Sequence, residues 1–262
     1  MNRLGNRKRG WLVTKEHVDL RRSAYNDARA AVSFAAQPQQ LTLDLERTAI
    51  IVVDMQNDFC TPGGWLAGIG VDTAPLKRPV APLNRLLPVL RTSGVPIIWL
   101  NWGNRPDRLN LSPSVLHVYN GDGESTGIGD PMPTNGSRVL EKGSWGAAVV
   151  DDLTPGPEDI YVDKFRMSGF WDTPLDSILR NLGVDTILFA GVNLDQCVMH
   201  TLQDAGCLGY DVILLEDCCA TSSPQYCADG ALYNIKQCYG FVADSAALLE
   251  AITLDTRKVA KP

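Results

Sequence analysis

At 262 residues, 45% of them hydrophobic, the chain is long enough to bury a full core as one α/β domain. A net charge of −6 at pH 7 excludes the positive field with which proteins hold nucleic acid or an anionic membrane, so neither is expected as a partner. The longest apolar runs fall far short of the roughly 20 residues that span a bilayer, no signal-peptide pattern opens the chain, and seven irregularly spaced cysteines suit reduced thiols, so a cytoplasmic protein is expected.

In chain order, "NRKRG" reads as a solvated basic tail. Residues 1–45 as a whole read as an arm or appendage. Their stretch "VTKEHVDLRRSAYNDARAAVSFAAQPQQ" is polar, Ala-rich and partly helical in character, ends in a Pro/Gln linker, and suits packing on another subunit. Residues 46–262 then follow one regular pattern, in which short apolar, β-rich runs alternate with longer amphipathic segments. The runs are "TAIIVVDM", "VPIIWLNW", "DIYVDK", "TILFAGV", "DVILLED" and "YGFVAD". Helices are expected among them at 77–93, 173–182, 195–208 and 224–237. Several runs are apolar on both faces, as parallel strands covered by helices must be. The pattern predicts a three-layer α/β/α fold with an open, mainly parallel six-stranded doubly wound sheet. Residues 103–146, rich in Gly, Pro, Asn and Ser, are too many for a plain connector and are expected to form a wall or lid over a site.

Open α/β sheets bind ligands beyond the carboxyl ends of their strands. The residues there are Asp54 after the first run, Lys164 at the end of the third and Cys197 after the fourth, with Gly191 at the turn before it. Each alone has a plain structural reading: Asp54 as a cap or turn, Lys164 as a snorkelling side chain, Cys197 as core filler. Together they are an acid, an amine and a thiol at topologically equivalent positions. A thiol with an ordinary pKa of about 8.5 is mostly protonated at neutral pH and needs a base or a neighbouring cation before it attacks. Asp54 can take the proton and Lys164 can hold the anion. The start of the helix that Cys197 opens favours a thiolate and later an oxyanion. The pattern points to nucleophilic catalysis that needs no histidine.

The stretches "VVDMQNDF", "VDKFRMSGFWDTPLDSILRNLGV", "AGVNLDQCV" and "LLEDCCA", spread over residues 47–252, resemble the isochorismatase-like cysteine hydrolases. That family includes nicotinamidases, N-carbamoylsarcosine and ureidoacrylate amidohydrolases, and the biuret and triuret hydrolases. The resemblance implies Asp54 as acid/base, Lys164 as the catalytic lysine and Cys197 as nucleophile. It also implies a cis Val192–Asn193 bond that turns the backbone amides of Asn193 and Cys197 into an oxyanion hole. Hydrolysis of an amide or ureide C–N bond through a thioester acyl-enzyme follows, with no cofactor and with assembly into a homo-oligomer, a dimer or tetramer. Many relatives carry Thr where this chain has Leu194. The motifs divide over substrate: "RPD" and "GIGDPMP" resemble biuret hydrolases, whereas "SGFWDTPLDSILR" resembles ureidoacrylate amidohydrolases. The expectation is a small ureide of the biuret or triuret type, releasing ammonia or an amine. The alternative is ureidoacrylate or another N-carbamoyl compound of pyrimidine degradation. Candidate substrate contacts are Gln56, Asn57, Asn104, Arg105, Arg166, Trp171 and Gln237, since amides suit a neutral ureide and arginine suits a carboxylate. Intrachain ion pairs are the competing reading for Arg105 and Arg166.

Nicotinamidases of this family hold a metal through an Asp and closely spaced histidines after the second strand. Here "WLNWGNRPDRLN" has no histidine, and His17, His117 and His200 are widely separated, so no metal is expected. Cys207, Cys218, Cys219, Cys227 and Cys238 are expected to fill core or helix-packing space, and Cys60 to line the pocket without reacting. Three rival readings remain. A catalytically silent binding member of the fold is disfavoured by the acid–amine–thiol set. A redox protein built on Cys218–Cys219 is disfavoured by the lack of a Cys-x-x-Cys, and an isochorismatase, which uses no nucleophilic cysteine, by Cys197.

Overall fold

The computed structural model describes residues 1–6, 9–22 and 31–259. The arm is extended over its described residues and supplies β1 (Asn2–Leu4), β2 (Trp11–Val13), β3 (His17–Asp19), β4 (Ala31–Phe34), β5 (Ala36–Gln37) and β6 (Gln40–Asp44). This corrects the partly helical reading of that stretch, although its most helix-like part, 23–30, lies outside the described residues. Alternation explains the strands. Val18 and Leu20, Val32 and Phe34, and Leu41 and Leu43 are buried in pairs two residues apart, which puts each pair on one face of a strand. Five of the six form a sheet in the order β1-β2-β3-β6-β4, and its buried side chains belong to the same core as the rest of the chain. The arm therefore docks on its own chain.

The remainder alternates strand and helix. β7 (Thr48–Val53) leads into two short helices, α1 (Asn57–Cys60) and α2 (Trp65–Gly68), then α3 (Val80–Thr92) and β8 (Ile97–Trp102). The long segment that follows contains only α4 (Pro113–Leu116) before β9 (Ile160–Lys164). Next come α5 (Leu175–Asn181), β10 (Thr186–Gly191), a π-helical turn Leu194–Val198 running into α6 (Met199–Cys207), and β11 (Asp211–Cys219). α7 (Gln225–Asn234), a second π-helical turn Ile235–Tyr239, β12 (Phe241–Ala243) and α8 (Ser245–Val259) complete the chain. Every residue of β7, β8 and β10 is buried, as strands sandwiched between helices require.

The main sheet runs β5-β12-β11-β10-β7-β8-β9 and is parallel except where β5 joins β12. It has seven strands, not six, because Ala36 and Gln37 from the arm add an antiparallel edge that no apolar run announces. α8, which the helix reading also lacked, packs on β4 and α3 and buries Leu248 and Ile252. Counted along the chain, the six parallel strands lie in the order 3-2-1-4-5-6, so the strand order reverses between β7 and β10. A crevice opens at such a reversal, and Asp54 and Cys197 flank it.

Candidate active site

Glycine makes the reversal tight. Gly191, at φ 112°, ends β10 where an added Cβ would lie 2.0 Å from the Val53 carbonyl oxygen, so only glycine lets the β10 turn close on the end of β7. Asp54 follows β7 at φ 50°, a left-handed conformation that Asp tolerates better than most residues, and its N–H donates to the Leu100 carbonyl at 2.9 Å. Lys164 arrives from the outer strand β9. Its Nζ lies 2.8 Å from Asp54 Oδ2, 3.3 Å from the Arg166 carbonyl oxygen and 4.4 Å from the centroid of the Trp102 ring. The Cys197 thiol lies beside the Asp54 carboxylate and the Lys164 ammonium, close enough for each to bear on its protonation, and its Sγ is 3.8 Å from Met167 Sδ. Asp54, Lys164 and Cys197 are 1%, 0% and 5% exposed, so bulk water screens none of them.

The loop before Cys197 is pinned from several sides. Val192–Asn193 is cis. Asn193 Oδ1 accepts from the Ser222 N–H at 3.0 Å, and the Leu194 N–H donates to the Ala220 carbonyl at 2.8 Å, which fixes the loop on the end of β11. Thr201 Oγ1 donates to the Cys197 carbonyl at 2.7 Å and accepts from the Gly169 N–H at 3.1 Å, joining the loop after β9 to the helix that carries the thiol. His200 sits on the outer side of that helix with Nδ1 2.7 Å from the Gln196 carbonyl oxygen, so it does not serve Cys197 as a base.

Burial dominates the electrostatics. It pushes the Asp54 carboxyl above the ordinary carboxylate range, against the opposing pull of Lys164 and of the neighbouring Cys197 thiol. The Cys197 thiol is pushed up to about 12, again chiefly by burial, with Lys164 opposing and Asp54 reinforcing. Burial alone would lower Lys164, but the Asp54 carboxylate and Cys197 outweigh it and the ammonium is held above its usual value. A buried carboxylate with a raised pKa is a better proton acceptor than one in water, and it is the group aimed at the thiol.

A cavity of about 20 Å³ lies over Cys197. Phe59, Trp65, Trp102 and Met167 wall it, and Val118, Tyr119, Ile128 and Leu140 from the long 103–146 segment close it. Gln196 supplies its one carboxamide. Asp58, which the sequence reading passed over, organises two walls: its buried carboxylate accepts from the Leu140 N–H at 2.7 Å and the Trp65 N–H at 3.1 Å.

The seven expected substrate contacts fall elsewhere. Gln56 is wholly buried and clamps backbone, donating to the Trp102 and Ala147 carbonyls and accepting from the Trp102 N–H. Asn57 donates to the Trp145 carbonyl and accepts from Thr61. Arg105 is exposed and paired with Asp107, Arg166 pairs with Asp172, and the exposed Trp171 donates to Asp204. Gln237 is exposed beyond α7. Asn104 is fully buried one turn beyond β8, its carboxamide without a hydrogen-bond partner. None of the seven lines the cavity over Cys197. Cys60 is buried outside the lining, and Cys207 and Cys238 are exposed, which corrects their assignment to packing. Among the described residues no group of three His, Cys, Asp or Glu side chains is placed to hold a metal ion, and no helix is long and apolar enough to cross a membrane.

Comparison with known proteins fits this geometry. Residues 48–247 match the isochorismatase domain, a span that begins where the arm ends. A ureidoacrylate amidohydrolase, RutB, of Methylorubrum extorquens is 36% identical over 226 residues, 86% of this chain and 90% of that protein. Among solved structures, a cysteine hydrolase from Pseudomonas syringae pv. phaseolicola superposes with a TM-score of 0.68 at 30% identity, covering 81% of this chain and 95% of its own. N-carbamoylsarcosine amidase from Thermoplasma acidophilum does so with a TM-score of 0.59 at 29% identity, covering 76% and 96%. With a family match over most of the chain and an acid, an amine and a thiol gathered at its strand reversal, the protein belongs to the isochorismatase family, among its cysteine hydrolases.

Proposed function

We propose that this hydrolase cleaves a carbamoyl C–N bond of a small linear ureide through a thioester on Cys197. The observation that carries the proposal is the fully buried cluster in which the Cys197 thiol meets the Asp54–Lys164 ion pair. In the first half-reaction Sγ attacks the carbonyl carbon while the thiol proton passes to Asp54. The S–C bond forms and the carbonyl electron pair moves onto oxygen, beside the backbone amides of Asn193 and Cys197. Collapse of that intermediate breaks the C–N bond, and the nitrogen takes the proton from Asp54 and leaves as ammonia or an amine. In the second half-reaction a water gives a proton to Asp54 and attacks the thioester carbonyl. The sulfur departs and takes the proton back, so thiol and carboxylate both return to their starting states. Lys164 keeps the carboxylate in place and offsets negative charge on sulfur throughout.

A neutral ureide of the biuret or triuret type fits the cavity's charge. Its lining contributes no arginine, and both Arg105 and Arg166 are already paired with aspartates. The planar faces of such a molecule suit the aromatic walls, and its edges suit Gln196 and the backbone amides. A second reading, ureidoacrylate, is favoured by the identity to RutB, and it requires one of those arginines to exchange its aspartate for the substrate carboxylate. Ammonia release from biuret, triuret, ureidoacrylate, N-carbamoyl amino acids and nicotinamide, assayed side by side, separates the readings, with biuret or triuret expected to lead. Cys197→Ala should fold and lose turnover by a factor on the order of 10⁴ or more, because nucleophile and base act as a unit. Near-wild-type turnover by that variant would remove Cys197 from the mechanism.

A further inference from the structure

The space over Cys197 is too small for any ureide. The free space of about 20 Å³ directly over the thiol has room for one water-sized group, so a shift of the lining side chains would be needed to seat a ureide against Cys197. Tyr119 is the part least held by the core: it is 37% exposed, it comes from the long segment after β8, and its backbone sits at φ 54°. Its ring meets Trp65 edge-on at 5.8 Å, and its hydroxyl accepts from Gln196 Nε2 at 3.0 Å and lies 3.4 Å from Gln196 Oε1. Gln196 directly precedes the nucleophile in the chain and is the one carboxamide in the lining. Its Nε2 also reaches Ser223 Oγ at 3.3 Å, which steadies the side chain from the far side.

We propose that Gln196 is a specificity-determining residue that binds the amide edge of the substrate, and that the Tyr119 hydroxyl holds that place until the substrate displaces it. The proposal rests on the reading of Cys197 as nucleophile. A hydroxyl is donor and acceptor at once, as is the N–H/C=O edge of a carbamoyl group, so the exchange of one for the other leaves both ends of the Gln196 carboxamide paired. Moving Tyr119 outward gives up only neutral contacts, those of its hydroxyl with Gln196 and of its ring with Trp65, and opens the cavity in the same motion. A carboxylate in that place would satisfy only the Nε2 donor and leave Oε1 facing negative charge. The arrangement thus selects neutral amides over anions.

The test uses iodoacetamide, a small neutral amide, and iodoacetate, its anionic counterpart, with the rate of Cys197 alkylation read by peptide mass spectrometry. The exposed Cys207 and Cys238 serve as internal references. In the wild-type protein Cys197 should prefer iodoacetamide over iodoacetate more strongly than the reference thiols do. Gln196→Met and Gln196→Glu should each lose that extra preference by about 2- to 12-fold, the equivalent of one neutral hydrogen bond. Tyr119→Phe, which keeps the ring and removes the latch, should speed reaction of Cys197 with iodoacetamide several-fold while the references stay constant. Unchanged preference in both Gln196 variants, or an unchanged rate in Tyr119→Phe, overturns the proposal while Cys197 still reacts. A Cys197 that resists both reagents in every variant overturns the nucleophile reading and this inference together.

Discussion

In the proposed mechanism a thiol buried as deeply as Cys197 begins the reaction protonated, so attack would depend on how readily Asp54 takes the proton during bond formation. Asp54 is suited to this because burial has raised its affinity for a proton, with Lys164, 2.8 Å away, pulling the other way. The charge of the substrate is the next question, and Arg166 answers it. If the substrate carries a carboxylate and Arg166 is the arginine that leaves its aspartate to pair with it, a charged contact of about 1.5–3 kcal/mol would be lost in Arg166→Gln, a fall of roughly 10- to 150-fold in kcat/KM. The neutral-ureide reading predicts less than about a threefold change on biuret or triuret, an amount within a weak neutral contact, together with poor competition by small carboxylates. Side-by-side kcat/KM values for both enzymes on biuret, triuret and ureidoacrylate decide it. Asp54, Lys164 and Cys197 were readable because each stands at a strand end where topology alone sends chemistry. Gln56 and Gln196 were not. An amide two residues past Asp54 looks like a substrate contact until its bonds to the Trp102 backbone are seen, and Gln196 gains its meaning only from Tyr119, 77 residues away.

Strands with continuous apolar runs declared themselves, because β7, β8 and β10 are covered on both faces and need no partner to be recognised. The arm strands did not, since β1, β2 and β3 have three residues each and are defined by their pairing. Besides apolar burial, polar contacts tie them to the domain. Arg22 Nη2 lies 2.8 Å from Asp211 Oδ2 at the start of β11, Trp11 Nε1 donates to Asp211 Oδ1 at 3.0 Å, and Arg9 and Arg47 each reach Asp185 at 2.6 Å. Burial nevertheless wins at Asp211: its carboxyl is raised to about 6, with Arg22 and Trp11 opposing. Because that value exceeds the unfolded value of about 3.9, the folded state binds the proton more tightly, and the group's stabilising contribution is full below pH 4 and lost as pH rises through about 6. The Tm of the wild-type protein minus that of Asp211→Asn should therefore decline between pH 4 and 6.5 and level off above. A difference that grows over the same interval would mean that the Arg22 ion pair outweighs desolvation.

At the level of the whole molecule, the arm and the family domain share one core. The Trp11 ring meets Phe241 at a tilt with centroids 5.8 Å apart, α8 packs against β4, and β5 hydrogen-bonds to β12, so three separate parts of the domain are covered by the first 44 residues. This part of the fold lay beyond local pattern because every contact in it joins residues far apart in the chain. Its energetic weight is considerable. Removing residues 1–40 deletes Val18, Leu20, Val32 and Phe34, all nearly inaccessible, each worth about 1.5–3 kcal/mol of burial, less the entropy recovered by the freed backbone. It also uncovers the side of Phe241 that meets Trp11 and the side of α8 that packs on β4. The deletion should lower Tm markedly and raise binding of an apolar-surface dye, and the loss should be the same at low and high protein concentration, because the missing contacts are within one chain. An arm whose main work was to join subunits would behave differently: the deletion would shift the sedimentation profile, and the Tm difference between the two proteins would grow with concentration as mass action favours the assembled wild type. Melting curves of both proteins over a hundredfold concentration range, run beside sedimentation velocity, distinguish the two, and a Tm loss that vanishes on dilution would overturn the docking of the arm on its own chain as its principal role.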